Sequence, residues 1–148
     1  LRPIPSIIAT KSKWLPNSED VMGWDVKDSG FHVVFSRSIP SLIEGWLGPF
    51  IHDFLAEYQL TSEEIEYFIA HPGGKKVLAA YEKALCLSEE DTAVSRDVLR
   101  AFGNMSSPTV HFVLERFMQR QTKPDTYGLL IALGPGFSGE AVLLEWGE

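Results

Sequence analysis

A layered α/β domain built on a mixed sheet is what the residue pattern predicts, and three observations carry that reading. Short runs rich in Ile, Val and Phe alternate with longer runs of helical period. A pair of apolar runs then closes the chain around Gly134-Pro135-Gly136. Finally, 148 residues that are 45% hydrophobic and 11% aromatic supply one substantial core, which argues against disorder. Alternation of strands and helices followed by a strand pair fits helices packed on a mixed sheet.

In chain order, Pro5 to Thr10 reads as a strand, rich in Ile. Trp14 to Ser29 is turn-rich, with Pro16, Asn17, Gly23 and three aspartates. Phe31 to Phe35 is a second strand. Ser38-Ile39-Pro40 opens a helix, with proline in the first turn where its missing N–H costs little. Leu42, Ile43, Trp46, Leu47, Phe50, Phe54 and Leu55 recur at helical spacing, so one face is buried. Gly48-Pro49 is expected to kink or split that helix. Thr61 to Glu64 forms a capped turn, and Ile65 to Ala70 is a strand apolar enough for the middle of a sheet. Helices are expected over Pro72 to Leu85, Ser95 to Phe102 and Pro108 to Gln121, the last with Val110, Val113, Leu114, Phe117 and Met118 on its apolar face. Tyr127 to Leu133 and Ala141 to Trp146 are the closing strands. There is no internal repeat and no low-complexity tract.

Charge and composition exclude several function classes. Thirteen Lys and Arg against 20 Asp and Glu give a net charge of −7, and no basic stripe offers a nucleic-acid surface. Apolar runs such as Leu129 to Leu133 are far shorter than the roughly 20 residues of a membrane span. One cysteine, Cys86, allows no internal disulfide, and a reducing, cytoplasmic setting is expected. The chain opens on Leu1 rather than Met, directly into strand-like residues, with no signal peptide. A fragment of a longer protein is therefore expected.

Two short motifs carry the chemistry: His71-Pro72-Gly73-Gly74 and Gly103-Asn104-Met105-Ser106-Ser107. His71 ends a strand and precedes a helix, and ligands of open α/β sheets collect at the carboxyl ends of strands. Asn104 follows a glycine at a helix end. Taken alone, His71 is equally compatible with capping a helix, and Asn104 reads first as an ordinary cap. As a pair, an imidazole and a carboxamide in glycine-bordered turns form two fixed hydrogen-bond donors for an oxyanion. Cys86 stands at the far end of the helix that begins beside His71. At about 1.5 Å per residue it lies roughly 20 Å away, beyond hydrogen-bond reach, and reads as a small apolar core contact. His32, His52 and His111 read as structural, and no spacing suggests a metal site. Gly134-Pro135-Gly136 lacks the Lys and Ser/Thr of a phosphate loop and reads as a hairpin-like turn that brings backbone against a substrate. Glu63, Glu64, Glu89, Glu90 and Asp91 form a solvated face.

HPGG at 71–74, GNMSS at 103–107, GPGF at 134–137 and the intervening SRDVLRAFGNMSSPTVHFVLER run are similar to the C-terminal part of the type III polyketide synthases, the chalcone and stilbene synthase family of the thiolase-like superfamily. The resemblance covers nearly the whole chain. It implies the C-terminal half of a thiolase-like fold, with a mixed five-stranded sheet and helices. It further implies a Cys-His-Asn triad in which His71 and Asn104 are the histidine and asparagine. These would bind the malonyl thioester carbonyl, favour its decarboxylation and stabilise the enolate, and His71 would keep the cysteine as thiolate. Phe31 matches a gating phenylalanine, Ser106 a position shaping the cyclisation cavity, and Gly134, Pro135 and Gly136 the loop walling that cavity. Ala132-Leu133 stand where the plant enzymes have Gly-Phe. The nucleophilic cysteine belongs to the N-terminal half and is absent from this chain, so the 148 residues alone are expected inactive.

The implied parent is an acyltransferase that condenses an acyl-CoA starter with malonyl-CoA and cyclises the product to a chalcone, pyrone or alkylpyrone. It uses coenzyme A thioesters as substrates and needs no metal or redox cofactor. Its partners would be its own N-terminal domain and, in the full-length enzyme, a second copy in a homodimer, with no nucleic acid and no membrane span. Two other readings stand beside it: a ketoacyl synthase III-like or hydroxymethylglutaryl-CoA synthase-like condensing enzyme, and a non-catalytic interaction module on the same fold.

Overall fold

A computed structural model describes residues 4–120 and 122–147. Its sheet has four strands among the described residues: β1 (Ser6–Trp14), β4 (Ile65–Ala70), β5 (Thr126–Gly134) and β6 (Ser138–Trp146), in the order β1-β6-β5-β4. β4 and β5 run parallel, while β6 is antiparallel to both β5 and β1. A separate hairpin pairs β2 (Met22–Lys27) with β3 (Gly30–Phe35). The mixed α/β architecture is as expected, but the described sheet has four strands rather than five.

The helices are α1 (Ile39–Ala56), α2 (Lys75–Leu85), α3 (Ala93–Phe102) and α4 (Pro108–Gln119). They sandwich the sheet, as the period-2 alternation of its strands requires. Phe68, Ala70, Leu129, Ile131, Ala141 and Leu143 point into one core with α1 and α2. Their neighbours Ile69, Leu144 and Trp146 point into a second core with Val94, Val98, Val110, Val113 and Phe117 of α3 and α4. Burial on both faces explains why these strands read as near-continuous apolar runs.

Several local expectations change. α1 continues unsplit through Pro49. Leu47, Phe50 and Ile51 around it are fully buried, and that packing outweighs the lost hydrogen bond. Gly48 serves closeness rather than a break, since a Cβ there would stand 2.8 Å from the Ala84 carbonyl of α2. The turn-rich 14–29 segment contains strand β2. β4 sits at the described sheet edge, not in its middle, and its apolar character comes from the two helical layers. α2 begins at Lys75, which leaves HPGG as an open connection, α3 starts at Ala93 ahead of Ser95, and α4 ends at Gln119. β1 runs on to Trp14. No helix among the described residues is long and apolar enough to cross a membrane.

Candidate active site

β4 and β5 end side by side, and the connections that follow them open a cleft of about 1010 Å³. His71 and Gly73 line it from the β4 end, and Ala132, Leu133, Gly134 and Pro135 from the β5 end. Asn104, Ser106 and Ser107 form another side. The hairpin closes the cleft with Met22, Trp24, Val33 and Phe35. The N-terminal turns of α1, α2 and α4 face inward through Ile39 and Pro40, Lys76 and Val77, and Val110 and His111. None of these three helices carries an acidic residue in its first turn, so their positive ends are left to act on the cleft.

The backbone of His71 is fixed from four directions. Its N–H donates to the Ile131 carbonyl at 2.8 Å and its carbonyl accepts from Gly73 N–H at 3.0 Å. The preceding carbonyl, Ala70, accepts from the buried Ser95 hydroxyl at 2.8 Å. The Gly73 carbonyl accepts from the Asn104 amide Nδ2 at 3.1 Å. Asn104 is itself oriented by Ser106, whose N–H donates to its Oδ1 at 2.9 Å. With a donor on one side and an acceptor on the other, the amide can sit only one way round. Its second Nδ2 hydrogen remains for a ligand.

The loop after α3 holds this arrangement with unusual backbone. Gly103 has φ +72° and Ser106 φ +66°. Thr109, fully buried, compensates at Ser106: its hydroxyl accepts from Met105 N–H at 2.8 Å and donates to the Ser106 carbonyl at 2.8 Å. The opposite wall is tied by Ser18, 3% exposed, whose hydroxyl accepts from Phe137 N–H at 3.0 Å and donates to the Leu15 and Gly136 carbonyls. Gly136 N–H in turn donates to the Met22 carbonyl at 2.9 Å.

Desolvation lowers the His71 pKa below its ordinary 6.5. Its imidazole is thus neutral at physiological pH, with one ring N–H to donate. Because the folded pKa is depressed, the unfolded chain binds more protons between the two values. The His71 contribution to stability is therefore complete above pH 6.5 and is lost as pH falls through the folded pKa. Thermal unfolding from pH 8 to 5 should show Tm falling below 6.5, and His71→Gln should flatten that fall; identical pH profiles for both proteins would contradict this.

His71 and Asn104 thus face one cleft, together with Ser106, Gly134 and Pro135. Phe31 and Gly136 do not line it. Phe31 is 74% exposed on the hairpin face, packed edge-on against Trp24 at 6.3 Å, and Trp24 reaches the cleft in its place. Gly136 lies behind the wall. His111 also lines the cleft; His32 is exposed and bonded to Ser29, and His52 is exposed. Cys86 is an exposed left-handed cap of α2 at φ +55°, not a core contact. The sequence reading missed Ser18, Ser95, Thr109 and Trp24. Buried hydroxyls leave no periodic signal, although Thr109 just after GNMSS could have been noticed as a turn-locking residue. Among the described residues no three His, Cys, Asp or Glu groups converge on a metal position.

The family pattern described as chalcone and stilbene synthases, C-terminal domain, matches residues 6–146. The chain belongs to that family. A Bacillus subtilis relative is 46% identical over 147 residues, which is 99% of this chain and 40% of the relative. The 1,3,6,8-tetrahydroxynaphthalene synthase of Streptomyces peucetius subsp. caesius is 41% identical over 96% of this chain and 38% of its own length. The crystal structure of the 1,3,6,8-tetrahydroxynaphthalene synthase of Streptomyces coelicolor A3(2), a bacterial type III polyketide synthase, superposes with a TM-score of 0.92 at 27% identity, over 99% of this chain and 42% of that one. This chalcone and stilbene synthase domain therefore has the thiolase-like fold of the type III polyketide synthases. It spans about two-fifths of the length of the curated relatives it matches.

Proposed function

We propose that this domain supplies the histidine and asparagine of a type III polyketide synthase, an acyltransferase that condenses coenzyme A thioesters. One observation carries the reading: His71 and Asn104 line the same cleft, and each is held by backbone contacts that leave a polar hydrogen for a ligand. The nucleophile of the acyl step would be a cysteine outside these 148 residues, because Cys86 caps the far end of α2.

A starter acyl group transfers from acyl-CoA to that cysteine, releasing CoA thiol. Malonyl-CoA then places its thioester carbonyl oxygen against the His71 ring N–H and the Asn104 amide. Its terminal carboxylate leaves as carbon dioxide, and the released electron pair becomes the enolate whose oxygen the two donors hold. The enolate carbon attacks the acyl carbonyl, and the cysteine thiolate departs. Donors fixed where charge develops stabilise the enolate more than the neutral thioester, which lowers the barrier. The inward-facing helix ends add to this. Gly134, Pro135, Ser106 and the hairpin, through Trp24, would confine the growing chain before cyclisation. The steps call for no metal or redox cofactor, and the setting would be cytoplasmic.

Partners follow from what the surface exposes. Trp24, Val26, Phe31, Val33 and Phe35 form an exposed apolar face on the hairpin, which supports an N-terminal domain of the same protein packing there and, in the complete enzyme, a homodimer. Malonyl-CoA with a set of acyl-CoA starters should yield pyrone or aromatic products with the full natural chain, read by mass spectrometry. The 148 residues alone should yield none. A single condensation product would instead indicate ketoacyl synthase III-like chemistry, and absence of any thioester turnover would leave an interaction module.

A further inference from the structure

The geometry points to Ser95 as the residue that positions His71, through a bond that α3 makes to the carbonyl just before it. The inference rests on the catalytic reading of His71. In the β4–β5 ladder His71 turns its N–H toward Ile131 of β5. Adjacent residues of a strand direct their polar groups to opposite sides, so Ala70 directs its carbonyl toward the edge of the described sheet, where no strand follows. Ser95, fully buried in the first turn of α3, donates its hydroxyl to that carbonyl at 2.8 Å.

The second fastening lies at the other end of the same helix. α3 ends at Phe102, Gly103 follows, and Asn104 donates to the Gly73 carbonyl at 3.1 Å. The carbonyls one residue before and two residues after His71 are thus both held by α3 and the loop that leaves it. A glycine-rich connection has no side-chain packing of its own to define its path. Without the Ser95 hydroxyl the Ala70 carbonyl is a buried acceptor lacking its partner. The strand end then shifts toward another donor and carries the imidazole with it. Asn104 stays attached to Gly73, so the spacing between the two donors changes. Displacements of about 1 Å at reacting groups cost up to about 10²-fold in rate.

Ser95→Ala, Ser95→Thr and Val98→Ala should be compared in the full natural chain. Val98 is fully buried on the same helix, has no group to donate to either carbonyl and lines no part of the cleft, so its truncation serves as the packing control. Expected for Ser95→Ala is a fall in kcat for malonyl-CoA decarboxylation of about tenfold, with KM within about twofold. The threonine variant retains a hydroxyl and should recover at least about half of kcat. Val98→Ala should lower Tm at least as far while keeping kcat within about twofold. A Ser95→Ala kcat within twofold of the parent, or an equal loss in Val98→Ala, overturns the assignment. A second readout needs no turnover: the NMR titration midpoint of the His71 ring should move in Ser95→Ala and not in Val98→Ala. If the parent turns over no thioester the catalytic reading fails, and this titration still decides whether Ser95 sets the environment of His71; an unmoved midpoint rejects it.

Discussion

Replacing His71 or Asn104 with alanine is expected to lower kcat/KM for polyketide formation by about 10²–10³ in the full natural chain, the range for losing one preorganised oxyanion donor. In the proposed mechanism the two donors act on one oxygen, so the double variant should cost far less than the product of the single losses. Asn104→Ala should be the more disruptive of the two, because its amide also orders its surroundings: Nδ2 holds the Gly73 carbonyl and Oδ1 accepts from Ser106 N–H. Asn104→Asp should be no better. Its carboxylate keeps the bond from Ser106, loses the donor to Gly73 and places negative charge where the enolate forms. Steady-state kinetics with malonyl-CoA, alongside Tm, separate lost chemistry from lost structure. Variants that retain kcat/KM within about threefold would sink the catalytic reading and favour the interaction module.

Gly128→Ala should be the most destabilising single methyl addition. Gly128 lies in β5 opposite Leu144, against the Trp146 ring. A Cβ there would stand 3.1 Å from Trp146 Cη2 and 3.3 Å from Ile69 Cδ1, and closer still to Trp146 Cζ3. Neither neighbour can retreat: both are fully buried, and Trp146 is packed edge-on against Tyr67 at 5.0 Å. Overpacking of this kind costs about 3 kcal/mol, roughly 6–12 °C of Tm for a domain of this length. Trp146→Phe removes the colliding part of the ring. In that background the alanine should cost about 1 kcal/mol or less, and the difference measures the Trp146–Gly128 coupling. Melting curves of the four proteins make the test. A Tm for Gly128→Ala within about 2 °C of the parent would mean the second core yields more readily than its packing implies.

Elements marked by a regular apolar pattern were legible in the residues themselves. α1, α2 and α4 follow from apolar residues at helical spacing, and β5 and β6 from runs set around a turn. What failed to show locally was structure whose cause lies elsewhere in the chain. β2 hides among Gly23, Asp25 and Lys27 because its pattern is completed only by pairing with β3, Trp24 opposite Val33 and Val26 opposite Phe31. Pro49 looks like a breaker until Phe50 and Ile51 are seen fully buried beside it. β4 looks central because an edge strand covered by helices on both faces carries the same residues as a middle one.

The site divides along the same line. By itself the sequence singled out the side chains proposed to bring chemistry: His71 and Asn104 stand in motifs short and distinctive enough to mark the family, and local rules place each at the end of an element. Only the tertiary structure decided that they share a cleft, that Trp24 rather than Phe31 lines it, and that Ser18, Ser95 and Thr109 hold its walls. The physical reason is range. Turn and helix preferences act over a few neighbouring residues and are written in them. A hydroxyl of α3 meeting the carbonyl before His71 depends on how two layers pack, and no local residue pattern encodes that meeting.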